Sequence, residues 1–147
     1  MIRVHGTSVA LEGAGVLLRG PSGSGKSDLA LRLIDAGAAL VADDQTELSR
    51  VSAGLRMSAP TAIAGLLEVR GVGILRVPSV PSAILRLVVT LVPSKAIERL
   101  PDPRRCLLLD CTIPEIALAP FEASAAAKLR LALRAIDAGA SLASSAS

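Results

Sequence analysis

Gly20 and Gly25, followed at once by Lys26 and Ser27, satisfy the spacing G-x-x-x-x-G-K-S within the run Gly20-Pro21-Ser22-Gly23-Ser24-Gly25-Lys26-Ser27. Each residue type has a chemical reason. Glycines allow backbone dihedrals at which successive N–H groups converge on phosphate oxygens. A helix beginning near Lys26 adds the positive end of its dipole. Lys26 brings a mobile charge to the β- and γ-phosphates, and the Ser27 hydroxyl can ligate Mg²⁺. The run is expected to hold the phosphates of ATP with a magnesium ion, provided that a strand enters it and a helix leaves it.

Other chemistry-bearing residues are few. Asp43 and Asp44 end the next strand, where an acid near the magnesium is common in such sites. Neighbouring strand residues point to opposite faces, so at most one of the two is expected to face a nucleotide squarely. Solvated turn residues are the competing reading. His5 is the only histidine. If the following hairpin turns near Gly13, simple pairing places His5 opposite about Pro21, beside the phosphate loop; a structural or surface role is the alternative. Glu68 and Arg70 share a face if they lie on one strand, and Gly71 and Gly73 allow close approach. A surface ion pair fits them as well as a site does. Cys106 and Cys111 have no second Cys or His pair to complete a zinc site and read as reduced buried thiols.

The elements needed to position these residues are legible. Thr7–Leu11 and Val16–Leu18 read as a hairpin whose second strand feeds the loop. Leu29, Leu31, Leu33 and Ile34 mark a helix from Ser27 to about Ala36, stopped by Gly37. A buried strand is expected over Ala38–Ala42, and a hairpin over Glu47–Ala53 and Leu55–Met57. Leu67–Val77 is strand-like with glycine interruptions, and Leu87–Leu91 is a buried strand. Cys106–Leu109 and Ile113–Leu118 add two more, and Ala123–Ala138 forms the longest helix. Pro60–Leu66 and Ser79–Arg86 are ambiguous. The expected fold is an α/β domain with a mixed, partly antiparallel sheet flanked by helices, covering residues 1–140, with 141–147 as a frayed Ala/Ser-rich tail.

Bulk properties narrow the function classes. The 147 residues fit one domain. With one aromatic, Phe121, and a net charge of +3, the chain offers no stacking platform and no basic arm for nucleic acid. The N-terminus has no signal-peptide pattern, and no uncharged apolar run approaches the roughly 18 residues of a spanning helix. A cytoplasmic location without membrane contact is expected.

The segments His5-Gly6, Gly15-Val16-Leu17-Leu18, Gly20 to Ser27, Leu40-Val41-Ala42-Asp43-Asp44 and Glu68-Val69-Arg70-Gly71-Val72-Gly73-Ile74 together resemble the HPr kinase/phosphorylase family. That family phosphorylates a serine of the phosphocarrier protein HPr. The resemblance is strong over the first half, and the Glu68–Ile74 block is far more specific than the phosphate loop. It implies a P-loop kinase-like catalytic domain, as in the short forms that lack the N-terminal domain, and it implies ATP and Mg²⁺ as cofactors and HPr as partner. Hexamers are known in the family, so a homo-oligomer is implied too. Lys26 and Ser27 would keep their phosphate and magnesium duties, with Glu68 as a second magnesium ligand and Asp43 also at the metal. Asp44 would be the base, His5 would sit in the active site, and Arg99 would be a further catalytic arginine.

One stretch departs from the family. A Pro-x-x-Gly-Arg-Asn-like segment linked to the reverse, phosphate-driven reaction is replaced here by Ala119-Pro120-Phe121-Glu122-Ala123-Ser124. Loss of the arginine and gain of an acid make the phosphorylase activity doubtful. Competing readings are a P-loop kinase or NTPase for another substrate, and a nucleotide sensor that does not transfer phosphate.

Overall fold

In the computed structural model, which describes residues 1–139, most of the chain is one nine-stranded sheet covered by two helices. Strands β1 (Ile2–His5), β2 (Thr7–Leu11) and β3 (Ala14–Arg19) precede helix α1 (Lys26–Asp35). They are followed by β4 (Ala39–Ala42), β5 (Gln45–Val51), β6 (Gly54–Ser58), β7 (Leu66–Val69) and β8 (Gly73–Arg76). Then come β9 (Ser82–Leu91), β10 (Arg104–Leu108), β11 (Cys111–Leu118) and α2 (Ala125–Asp137). The main sheet runs β1-β5-β6-β9-β3-β2-β4, with β11 also on β9 and β10 on β11. Among the named strands, β3–β9 and β9–β11 pair in parallel and the other neighbours are antiparallel. The mixed sheet expected from sequence is therefore present.

The centre is built from residues buried on both faces, as parallel strands covered on both sides require. Val16 and Leu18 of β3 join Leu87, Val89 and Leu91 of β9 beneath the helices, where they meet Leu29, Leu33, Leu129 and Leu133. Leu17 and Val88 point the other way, into a second cluster with Leu48, Leu55 and Met57. The β3–β9 register skips Arg86, so Leu85 and Leu87 fall on opposite faces although they are two apart. That bulge resolves the ambiguous stretch Ser79–Arg86: its second half belongs to β9, and Arg86 is turned outward.

Helix α1 follows its apolar spacing and stops where glycine permits. Gly37 has φ +110°, and the amides of Gly37 and Ala38 donate to the carbonyls of Ile34 and Leu33. The segment Leu67–Val77 is not one strand. Its glycines close a separate antiparallel hairpin, β7–β8, with Glu68 opposite Ile74. Pro60–Leu66 is a short 3₁₀ turn followed by the start of β7. The expected boundary at 140 and the tail 141–147 lie outside the described residues. Among the described residues, no helix is long and apolar enough to cross a membrane.

Candidate active site

Strand β3 ends at Arg19 and α1 begins at Lys26, so the glycine run is suspended between a buried strand and a helix N-terminus, the context its chemistry requires. Gly23 and Gly25 have φ +79° and +101°, conformations that favour glycine. A Cβ at Gly20 would stand 2.6 Å from the Ser24 hydroxyl oxygen. That oxygen is itself buried and has no hydrogen-bond partner, which leaves a donor inside the loop for an anionic oxygen to engage. Lys26 is 7% exposed, and its ammonium donates to the carbonyls of Gly20 (2.7 Å) and Pro21 (3.0 Å).

Beyond α1, β4 delivers Asp43 and Asp44 to two different tasks. Asp43 is 8% exposed. Its Oδ1 accepts from the hydroxyls of Ser27 (2.8 Å) and Thr7 (3.0 Å), and its Oδ2 accepts from the Glu68 amide (3.0 Å). One carboxylate thus ties the phosphate loop, β2 and the β7–β8 hairpin together. Asp44, whose side chain is 64% exposed, faces His5 Nε2 across 2.8 Å. Both aspartates line the same cleft. Strand alternation does not separate them, because β4 stops at Ala42 and Asp44 has φ +66°.

The expected placement of His5 is corrected. Hairpin pairing of Thr7 with Leu18 does not continue to His5. Gly6 breaks the strand, its amide donates to the Asp44 carbonyl (2.8 Å), and β1 pairs with β5, His5 opposite Gln45. His5 therefore lies beside Asp44 rather than opposite Pro21. What this contact brings to the cleft is Asp44; His5 itself is not one of the lining residues.

The cleft has a volume of about 770 Å³, the size of a small-molecule site. Its floor includes Ser22, Gly23, Gly25, Lys26 and Ser27, and its far side is the hairpin from Glu68 to Ile74. Glu68 and Arg70 both line it. Arg70 has left the strand for the turn, so they do not share a strand face as expected, and no Glu68–Arg70 ion pair occurs among the described residues. Arg99 is in the loop before β10 and is not a wall of the cleft. Among the described residues no three His, Cys, Asp or Glu side chains form a metal cage. Ser27, Asp43 and Glu68 are instead the sparse, oxygen-only set that suits an ion retaining water and substrate phosphates. Cys106 and Cys111 are free, the first buried and the second half-buried.

One contributor escaped the sequence reading. Thr7, read only as a strand former, is fully buried against both aspartates; a hydroxyl two residues after His5 was the available signal. Phe121 is 72% exposed and leans on Gly25, where an added Cβ would lie 3.0 Å from its ring. Arg32 of α1 holds this segment through the carbonyls of Pro120 and Glu122. Next to it, Lys128 holds the Glu122 carboxyl below the usual carboxylate range by a hydrogen bond and its charge, with a smaller contribution from Ser94.

Comparison with known proteins agrees with this geometry. The HPr serine kinase C-terminal domain family model matches residues 1–129. The HPr kinase/phosphorylase of Clostridium tetani is 48% identical over 77 residues, covering 52% of this chain and 25% of that protein. That of Bordetella pertussis is 44% identical over 109 residues, covering 67% of this chain and 35% of that protein. The chain thus spans about a quarter to a third of the length of these relatives. The solved structure of the Hpr(Ser) kinase/phosphatase from Coxiella burnetii superposes with a TM-score of 0.83 at 26% identity, covering 95% of this chain and 98% of that one. The chain belongs to the HPr serine kinase C-terminal domain family.

Proposed function

We propose that this site binds ATP with Mg²⁺ and transfers the γ-phosphoryl group to a serine hydroxyl of the phosphocarrier protein HPr. The observation that carries the reading is Asp44, which lines the cleft whose floor is the phosphate loop and lies 2.8 Å from His5 Nε2. A loop that only held nucleotide would have no use for a partnered, solvent-facing carboxylate at that place.

The roles follow from chemistry. In-line phosphoryl transfer depends on charge neutralisation and an oriented nucleophile more than on covalent help. The loop amides and Lys26 hold the phosphates. Ser27 and Asp43 would hold Mg²⁺ with Glu68 beside them, and the ion supplies positive charge against the phosphate oxygens. Asp44 accepts the proton of the attacking serine hydroxyl, a poor nucleophile that needs a base within hydrogen-bond reach. His5 holds the Asp44 carboxylate. A protein acceptor is favoured by the apolar rim: Val72 and Ile74 are each 68% exposed on the hairpin, and Phe121 stands out beside the loop.

Reverse, phosphate-driven release is proposed to be weak. Phe121 is the residue of its segment that walls the cleft, and the neighbouring Glu122 is an acid engaged by Lys128, so the segment itself brings no arginine to the cleft. Release of phosphate from phosphorylated HPr at a rate comparable to the forward reaction would refute this. Arg99 is retained as a catalytic candidate on the resemblance alone. The activity is tested by incubating the chain with labelled ATP, Mg²⁺ and HPr and mapping the modified residue. Label on an HPr serine is expected. Strong ATP binding without label on HPr would favour another acceptor or a nucleotide sensor.

A further inference from the structure

Among the described residues, Thr7 is the only side chain hydrogen-bonded to both aspartates. It is fully buried in β2, one residue past the break at Gly6. Its hydroxyl donates to Asp43 Oδ1 (3.0 Å) and accepts from the Asp44 amide (3.1 Å). The flanking residues complete a clasp: the Gly6 amide donates to the Asp44 carbonyl, and His5 Nε2 meets the Asp44 carboxylate. Three consecutive residues across the β1–β2 junction therefore hold the two residues that follow β4.

The clasp explains how Asp44 keeps its unusual backbone. A non-glycine residue at φ +66° is disfavoured and persists only where its surroundings over-determine it. The Thr7 hydroxyl and the Gly6 amide fix the Asp44 peptide on both sides. The same hydroxyl shares Asp43 Oδ1 with Ser27, so displacing one bond is felt by the other.

We propose that Thr7 is a positioning residue: its hydroxyl sets the placement of Asp44 against His5 and of Asp43 against Ser27, so that both carboxylates serve one cleft. The inference rests on the phosphoryl-transfer reading for its kinetic consequence but not for its structural one. Valine copies the shape of threonine without the hydroxyl, so packing in the buried site is kept. Misplacement of a reacting group by about 1 Å can lower turnover by about 100-fold. Thr7→Val is expected to lower kcat by about 10- to 100-fold with KM for ATP changed by less than about threefold. Thr7→Ser restores the hydroxyl and is expected to recover kcat to within about threefold of the parent.

A second readout is independent of turnover. His5 is the only histidine, so its ring gives a single set of imidazole resonances. At one fixed pH these resonances should move in Thr7→Val and return in Thr7→Ser, with cooperative thermal unfolding retained. Thr7→Ala takes the place of the valine variant if that one does not fold. Unmoved ring resonances in Thr7→Val, or a serine variant no better than valine in either readout, would overturn the proposal. If the parent chain transfers no phosphate while the ring resonances follow the expected pattern, the kinase reading fails and the clasp stands.

Discussion

His5 and Asp44 are 39 residues apart in sequence, yet the histidine Nε2 lies 2.8 Å from the aspartate Oδ1. The contact joins the end of β1 to a cleft-lining residue just past β4, and in the proposed reaction the two side chains act as one unit. Removing either should therefore cost about as much as removing both. His5→Ala and Asp44→Asn are each expected to lower turnover by about 100-fold or more, and the double variant should be little worse. ATP affinity should change by less than about threefold in all of them, by the same reasoning. Steady-state kinetics with calorimetric ATP binding check both parts; additive losses would show that the pair does not act together.

Asp43 and Asp44 should separate cleanly in stability. Asp43 is buried and satisfies three donors, from Thr7, Ser27 and the Glu68 amide. Asp43→Ala leaves them without a partner and is expected to destabilise the fold by about 2–4 kcal/mol. Asp44→Ala removes an exposed pair and should cost less than about 1 kcal/mol. Urea unfolding of the two variants measures the difference, and equal losses would contradict the assignment.

Lys26 is expected to govern nucleotide affinity. Its ammonium reaches the loop carbonyls of Gly20 and Pro21 and has the length to reach phosphate oxygens instead. Charge-assisted bonds of this kind are worth about 1.5–3 kcal/mol. Lys26→Met should weaken ATP binding by about 10- to 100-fold, while AMP, lacking the β- and γ-phosphates, should be affected much less. Competition binding with the two nucleotides tests this.

Arg99 is placed outside the cleft walls. Arg99→Ala should leave ATP affinity unchanged within about twofold and lower phosphate transfer to HPr by about tenfold if its inherited role holds. Unchanged transfer would remove it from the catalytic set.

Glu122 gives a small acid-side dependence of stability. Its folded pKa is lowered chiefly by the Lys128 hydrogen bond and charge. A depressed carboxyl contributes stability that is present above its unfolded pKa and lost as pH falls through the folded value. Glu122→Gln should therefore be slightly less stable than the parent at neutral pH and indistinguishable from it below the carboxylate range. The pair lies at the surface, in contact with water, so the effect is small. Denaturation midpoints of both proteins at the two pH values check the sign.

The sequence by itself determined the phosphate loop, the strand and helix that carry it, and the class of chemistry. Those features are local: the glycine spacing, the apolar periodicity of α1 and the Gly37 stop all act within one or two turns of chain. Even the separate hairpin was foreshadowed by Gly71 and Gly73, although read as interruptions of one strand. Only the tertiary structure decided which carboxylate is buried among donors and which faces solvent beside His5. Alternation along a strand offered a choice between Asp43 and Asp44, but β4 ends before them and the positive φ of Asp44 sends both to one cleft. His5 was assigned a pairing that the structure does not keep, since a break at Gly6 places β1 on β5. Thr7 was marked only by its place two residues after His5. Its hydroxyl has meaning only because β2 and β4 are neighbours in the sheet, and such non-local pairings depend on register and closure of the whole sheet.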